Sequence, residues 1–135
     1  MYRIRKAITF EAAHQLPNHD GKCRNLHGHS YKVEAFFVGP WLVPTGKSIP
    51  QEGMLVDFTV IGAALKELHA LVDHTFLNDV VRERLGVPVT TAELLARGFY
   101  LFLVERLETL EDFRATVEKV RVWETASAYA EYSQP

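Results

Sequence analysis

One cysteine, Cys23, stands in a chain of 135 residues. A lone thiol has no internal partner, so no intrachain disulfide supports the fold. Long apolar runs of the roughly 20 residues that span a bilayer are absent as well, and no secretory leader is recognisable, so a cytoplasmic location is expected. Runs of Lys and Arg are missing too, and the formal charge is −2. That balance argues against a nucleic-acid surface, and the lack of long apolar runs against a membrane span. Repeats, low-complexity tracts and linkers are lacking, so residues 1–135 are expected to form a single domain. An apolar content of 47% is enough for one two-layer core.

Short periodic segments fill the chain. Tyr2, Ile4, Ile8 and Phe10 alternate with Arg3, Arg5, Thr9 and Glu11, the pattern of a strand with one dry face, and Tyr31 to Val38 continues in β-rich residues. Ile61, Leu65, Leu68 and Val72 form one helical stripe. Leu95, Phe99, Leu103, Leu107 and Leu110 form another. Thr116 to Glu124 and Ala126 to Tyr132 read as two last strands. The expectation is an α+β fold in the order ββααββ, a four-stranded antiparallel sheet with two helices on one face. Such a sheet has open edges, which is a physical motive for association. Residues 39 to 53, rich in proline and glycine, read as a loop or short hairpin excursion.

The densest chemistry is Cys23-Arg24-Asn25-Leu26-His27-Gly28-His29, with His14 a short loop upstream. Histidines at i and i+2 of an extended segment project from one face, so His27 and His29 can bite one ion. His14 ends the first strand pattern, and Pro17-Asn18-His19-Asp20-Gly21 has turn composition that can return it beside the pair. Three imidazoles with a fourth position open is the usual layout of a catalytic zinc site. On spacing alone, chance histidines with ordinary hydrogen bonds fit equally well. Cys23 has three readings: a fourth zinc ligand, a catalytic base or nucleophile, or an inert small hydrophobe. Lys22, Arg24 and Asn25 around it speak against burial in a core.

Asp73-His74 follows the first helical stripe. There a carboxylate can orient an imidazole and favour its charged form, while a helix end and a turn explain the two residues without chemistry. Trp123-Glu124-Thr125 places a carboxylate at the end of an apolar strand, where it needs a partner. A ligand with a guanidine-like pair of N–H groups suits it. Arg121 is the internal alternative, although it falls on the opposite face of a regular strand. His69 and His19 read as structural or solvated, and Lys22, Arg24 and Arg97 receive no site role.

Four motifs in order, Phe10-Glu11-Ala12-Ala13-His14, Cys23-x-x-x-His27-Gly28-His29, Asp73-His74-x-x-Leu77-Asn78 and Trp123-Glu124-Thr125, resemble those of the 6-pyruvoyl-tetrahydropterin synthase superfamily and run through nearly the whole chain. The three-residue gap between Cys23 and His27 is similar to that of the bacterial 6-carboxytetrahydropterin synthases of queuosine biosynthesis. The pyruvoyl enzymes of animals have a longer gap. Met54, Asp57 and Phe58 also resemble family positions, and Asp57 suits the start of the following helix.

The resemblance implies a T-fold in which sheets of several subunits close a barrel, here a homohexamer of two trimers with active sites between chains. It implies that His14, His27 and His29 hold zinc, that Cys23 is the proton-abstracting base and that Asp73 and His74 form a proton relay. Glu124 would anchor the pterin ring. The implied reaction converts 7,8-dihydroneopterin triphosphate to 6-carboxy-5,6,7,8-tetrahydropterin, with loss of triphosphate and acetaldehyde and no redox cofactor. Alternatives are a pyruvoyl-type synthase that stops before carbon–carbon cleavage and a zinc- or pterin-binding module without turnover. Where relatives carry Pro-Thr-x-Glu-Asn, this chain has Thr90-Thr91-Ala92-Glu93-Leu94. Thr91 and Glu93 are candidate pterin contacts, and Thr90 with Glu93 has capping-box spacing.

Overall fold

Alternating β-formers and charged residues give a half-buried strand. In the computed structural model, which describes all residues from Met1 to Pro135, that pattern becomes β1 (Tyr2–His14). It pairs antiparallel with β2 (His27–Gly39) without a break in register, from Tyr2 opposite Gly39 to His14 opposite His27. The hydrophobic alternation sets this register, because a slip of one residue would turn Phe10 and Tyr31 out of the core.

After the excursion, Asp57 caps α1 (Phe58–Val72), its carboxylate accepting from Thr59 N at 2.9 Å. Then follow β3 (Thr75–Phe76), α2 (Leu77–Leu85) and α3 (Ala92–Leu103). α3 runs on into a π-helical turn, Val104–Glu108. β4 (Thr116–Thr125) and β5 (Ala128–Tyr132) complete the sheet. Its strand order is β3-β1-β2-β4-β5.

α1 and α3 lie on one face of the sheet. Ile61, Leu65, Leu68 and Val72 from α1 and Leu95, Phe99 and Leu103 from α3 pack against Phe10, Tyr31, Val33, Phe37, Val120 and Val122. Each such side chain contributes about 1.5–3 kcal/mol by leaving water, and Leu65→Ala is expected to cost about 2–5 kcal/mol through the cavity it leaves. The excursion after β2 is pinched at its base by Val43 N to Met54 O and Gly53 N to Val43 O, each 2.9 Å. Val43 and Leu55 are buried beneath it.

The structure corrects the four-stranded antiparallel sheet with two helices and the order ββααββ. The sheet is mixed and five-stranded, because β3 adds to β1 in parallel at Ala12 and Ala13. A third helix, α2, lies between the two expected. Among its nine residues only Leu77 and Val81 are buried, too few to register as a stripe. α2 stops at Gly86, whose φ of 65° is left-handed and natural to glycine. Leu110, assigned to the second helical stripe, is 46% exposed because helical structure ends at Glu108. Thr91, and not Thr90, caps α3, its hydroxyl accepting from Leu94 N at 3.3 Å.

Candidate metal centre and active site

The end of the β1–β2 ladder gathers the three histidines. His14 lies opposite His27, and His29 opposite Ala12, so all three rings project to the helix-covered side. Their centroids stand 4.6 Å (His14 to His27), 5.1 Å (His14 to His29) and 4.8 Å (His27 to His29) apart. One potential ligand atom from each lies within 4.8 Å of the others. Cys23 is outside this group.

The hydrogen bonds decide which nitrogens are available. His14 Nδ1 is 3.0 Å from Thr90 O and His27 Nδ1 is 2.7 Å from Asn25 O. A carbonyl only accepts, so each Nδ1 carries the hydrogen and each Nε2 carries the lone pair. The Nε2 atoms of His14, His27 and His29 are all buried without a hydrogen-bond partner. An unmet buried polar atom costs about 1–3 kcal/mol, and these three lie close enough together that one cation could be shared among them. Burial holds the His14 and His29 pKa values below the ordinary 6.5, outweighing the opposing pull of Glu124 on both. The neutral ring is the form that binds metal. Nitrogens about 2 Å from a tetrahedral ion lie about 3.3 Å apart, so modest ring rotations suffice to close the cluster. The residues fit zinc.

Glu124 Oε1 lies 3.2 Å from His29 Nε2, without the alignment of a hydrogen bond. Its carboxylate is partly exposed and stays clear of Arg121, which instead bonds Glu131 at 2.9 Å. Tyr31, stacked on Phe10 at 4.8 Å, packs its ring against His14 and His29. Its hydroxyl is a fourth buried group without a partner, and burial pushes its pKa up.

Asp73 and His74 dock on β1 three residues before His14. Asp73 Oδ1 accepts from Glu11 N at 2.9 Å, and His74 N donates to Glu11 O at 2.6 Å. Asp73 Oδ2 then takes His74 Nδ1 at 2.8 Å. The Glu11 amide first, then His74, holds the Asp73 carboxyl below its usual range. His74 has φ of 54°, a left-handed geometry uncommon outside glycine, and its side chain is 79% exposed. With His29, Glu11, Ser30 and Phe76 it lines a cleft of about 530 Å³. The larger cavity, about 900 Å³ between α1, α2 and α3, contains none of these groups.

Cys23 sits on a 3-10 turn, Lys22–Arg24, in the loop that joins His14 to His27. Leu16 N donates to Cys23 O at 2.7 Å, and the residue is partly exposed. Thr91 and Glu93 stand at the start of α3, next in sequence to the Thr90 that contacts His14. Sequence reasoning missed the backing of the histidines by Thr90 and Asn25, and the place of Tyr31. The only available signal was Asn78, which bonds Thr90 and ends the Asp73-His74-x-x-Leu77-Asn78 motif.

The profile of the 6-pyruvoyl tetrahydropterin synthase family matches residues 3–135. The chain belongs to this family. It is 34% identical over 151 residues to the 6-carboxy-5,6,7,8-tetrahydropterin synthase of Haemophilus influenzae, covering 99% of this chain and 100% of that one. It is 38% identical over 136 residues to the Synechocystis enzyme of the same name, covering 100% and 95%. Among solved structures, the 6-pyruvoyl tetrahydropterin synthase of Caenorhabditis elegans superposes with a TM-score of 0.77 at 24% identity, over 99% of this chain and 96% of that one. The Plasmodium vivax enzyme of that name gives 0.71 at 17% identity, with 99% of each chain covered. The structural likenesses establish the family fold. No helix is long and apolar enough to cross a membrane.

Proposed function

We propose that this chain is a zinc-dependent 6-carboxy-5,6,7,8-tetrahydropterin synthase, acting on 7,8-dihydroneopterin triphosphate with release of triphosphate and acetaldehyde. The observation that carries the reading is the set of three orphaned Nε2 atoms at one point, in a chain whose full-length relatives at 34% and 38% identity bear that enzyme name.

Zinc on His14, His27 and His29 would supply Lewis-acid polarisation of the substrate's side-chain hydroxyls. The protein's groups do the rest. Cys23, on a turn flanked by Lys22 and Arg24, is the base that removes a carbon-bound proton as thiolate. Asp73 fixes His74 through Nδ1, which leaves His74 Nε2 to carry a proton across the cleft. Glu124 receives the pterin's paired N–H groups as a carboxylate acceptor, and Thr91 and Glu93 are secondary pterin contacts. Residues 1–135 act as one domain, in the cytoplasm, in queuosine biosynthesis. Its sheet edges support assembly into a homohexamer of two trimers, with Cys23 and His74 meeting across a subunit boundary.

Incubating the zinc-loaded protein with 7,8-dihydroneopterin triphosphate tests the reading. Acetaldehyde and the 6-carboxy product in equal amounts are expected. A pyruvoyl product without acetaldehyde would replace the assignment by the neighbouring activity, and no turnover would leave a binding module.

A further inference from the structure

We propose that Asn78, acting with Thr90, is the positioning unit that holds His14 in the tautomer and orientation a metal requires. This rests on the metal reading of the three histidines. His14 is the last residue of β1, so Gln15 has no strand neighbour to fix it. Asn78, the second residue of α2, stands in for one. Its Oδ1 accepts from Gln15 N at 3.0 Å, and its Nδ2 donates to Gln15 O at 2.7 Å. Both backbone groups next to the ligand are thereby pinned.

The same Oδ1 accepts the Thr90 hydroxyl at 3.4 Å. With its hydrogen turned to Asn78, Thr90 Oγ1 offers a lone pair to His14 Nδ1, 3.1 Å away, beside the Thr90 carbonyl at 3.0 Å. Both atoms facing Nδ1 are then acceptors, so Nδ1 is protonated and Nε2 is presented bare. Thr90 is 1% exposed and His14 0%, so water does not compete for these bonds. The network ties together residues 14–15, 78 and 90, and His14 Nε2 is its only unmet atom. Outer groups that orient a metal-binding histidine typically change metal affinity about 10–100-fold when removed.

The test is zinc affinity, measured by competition with a chromophoric chelator, on the full chain and on Asn78→Ala and Thr90→Val. Long-range proton–nitrogen NMR of the zinc-free protein reads the His14 tautomer. Asn78→Ala, which frees the Thr90 hydroxyl to turn its hydrogen to His14 Nδ1 in competition with the Thr90 carbonyl, is expected to weaken zinc by about 10–100-fold and to bring in a fraction of the Nε2–H form. Thr90→Val, which keeps the carbonyl, is expected to retain the Nδ1–H form and lose about fivefold in affinity. Affinities within twofold of the parent in both variants, or an unchanged His14 tautomer in Asn78→Ala, would overturn the proposal. If Asn78→Ala fails to fold, Thr90→Val decides alone, the fivefold loss supporting it and unchanged affinity overturning it. A parent that binds zinc but releases no acetaldehyde sinks the proposed activity and leaves this inference intact. A parent that binds no zinc sinks both.

Discussion

Glu34 and His14 are both buried polar side chains on neighbouring strands, 6% and 0% exposed, yet their surroundings differ. Glu34, on the sheet face away from the helices, engages both oxygens: Oε2 takes Arg5 Nε and Oε1 takes Trp123 Nε1. Arg121 stands 3.8 Å from Oε1 and bonds Glu131 in turn. Burial alone would raise the Glu34 pKa, but the bonds from Trp123 and Arg5 hold it below its ordinary value. His14 has partners at Nδ1 and none at Nε2, and His27 repeats the arrangement. Satisfied burial marks a group that holds the protein together, whereas orphaned burial is the arrangement that a set of metal-ligating imidazoles would have.

Exchanging the two kinds of lesion breaks the comparison most sharply. His27→Ala is expected to take bound zinc from about one per chain to nearly none and to abolish turnover, while the unfolding free energy of the zinc-free protein moves by less than ~1 kcal/mol. Elemental analysis and denaturant titration read the two quantities. Cys23→Ala should retain its zinc and lose turnover by about 100-fold or more; loss of zinc instead would make the sulfur a ligand.

Glu34→Ala is the mirror image of the histidine lesion. It leaves Trp123 Nε1 without its acceptor and is expected to cost about 2–4 kcal/mol, read as a lowered thermal midpoint at unchanged zinc content. The pH dependence sharpens the same point with the smallest effect. Because the folded Glu34 pKa lies below its ordinary 4.5, its ionisation stabilises the fold fully above 4.5. That contribution fades as pH falls through the lower folded value. The stability gap between the parent and Glu34→Gln should therefore be constant from neutrality down to about pH 5 and narrow below that. A gap that widens on acidification would show that the carboxylate is not the stabilised form.

Strong periodicity made much of the fold legible. β1 followed from alternation and β2 from the β-rich residues Tyr31 to Val38, and the stripe Ile61, Leu65, Leu68 and Val72 is fully buried in α1. What escaped was short or non-local. β3 has two residues and acquires meaning only beside Ala12 and Ala13, some 60 positions earlier. α2 is mostly charged and buries two side chains. Thr90 has capping-box spacing, but its hydroxyl turns to Asn78 and His14, a contact across 76 positions that no local pattern encodes. At the site, the i and i+2 spacing of His27 and His29 announced a shared face. The return of His14 to that face was legible only as a turn composition. That Nε2 and not Nδ1 points inward depends on the carbonyls of Thr90 and Asn25, which sequence does not reveal.

X-ray absorption at the zinc edge of the purified protein tests the central claim most directly. The account predicts three imidazole nitrogens near 2.0 Å with one further light atom and no sulfur. A sulfur shell near 2.3 Å, or fewer than three imidazoles, would contradict it.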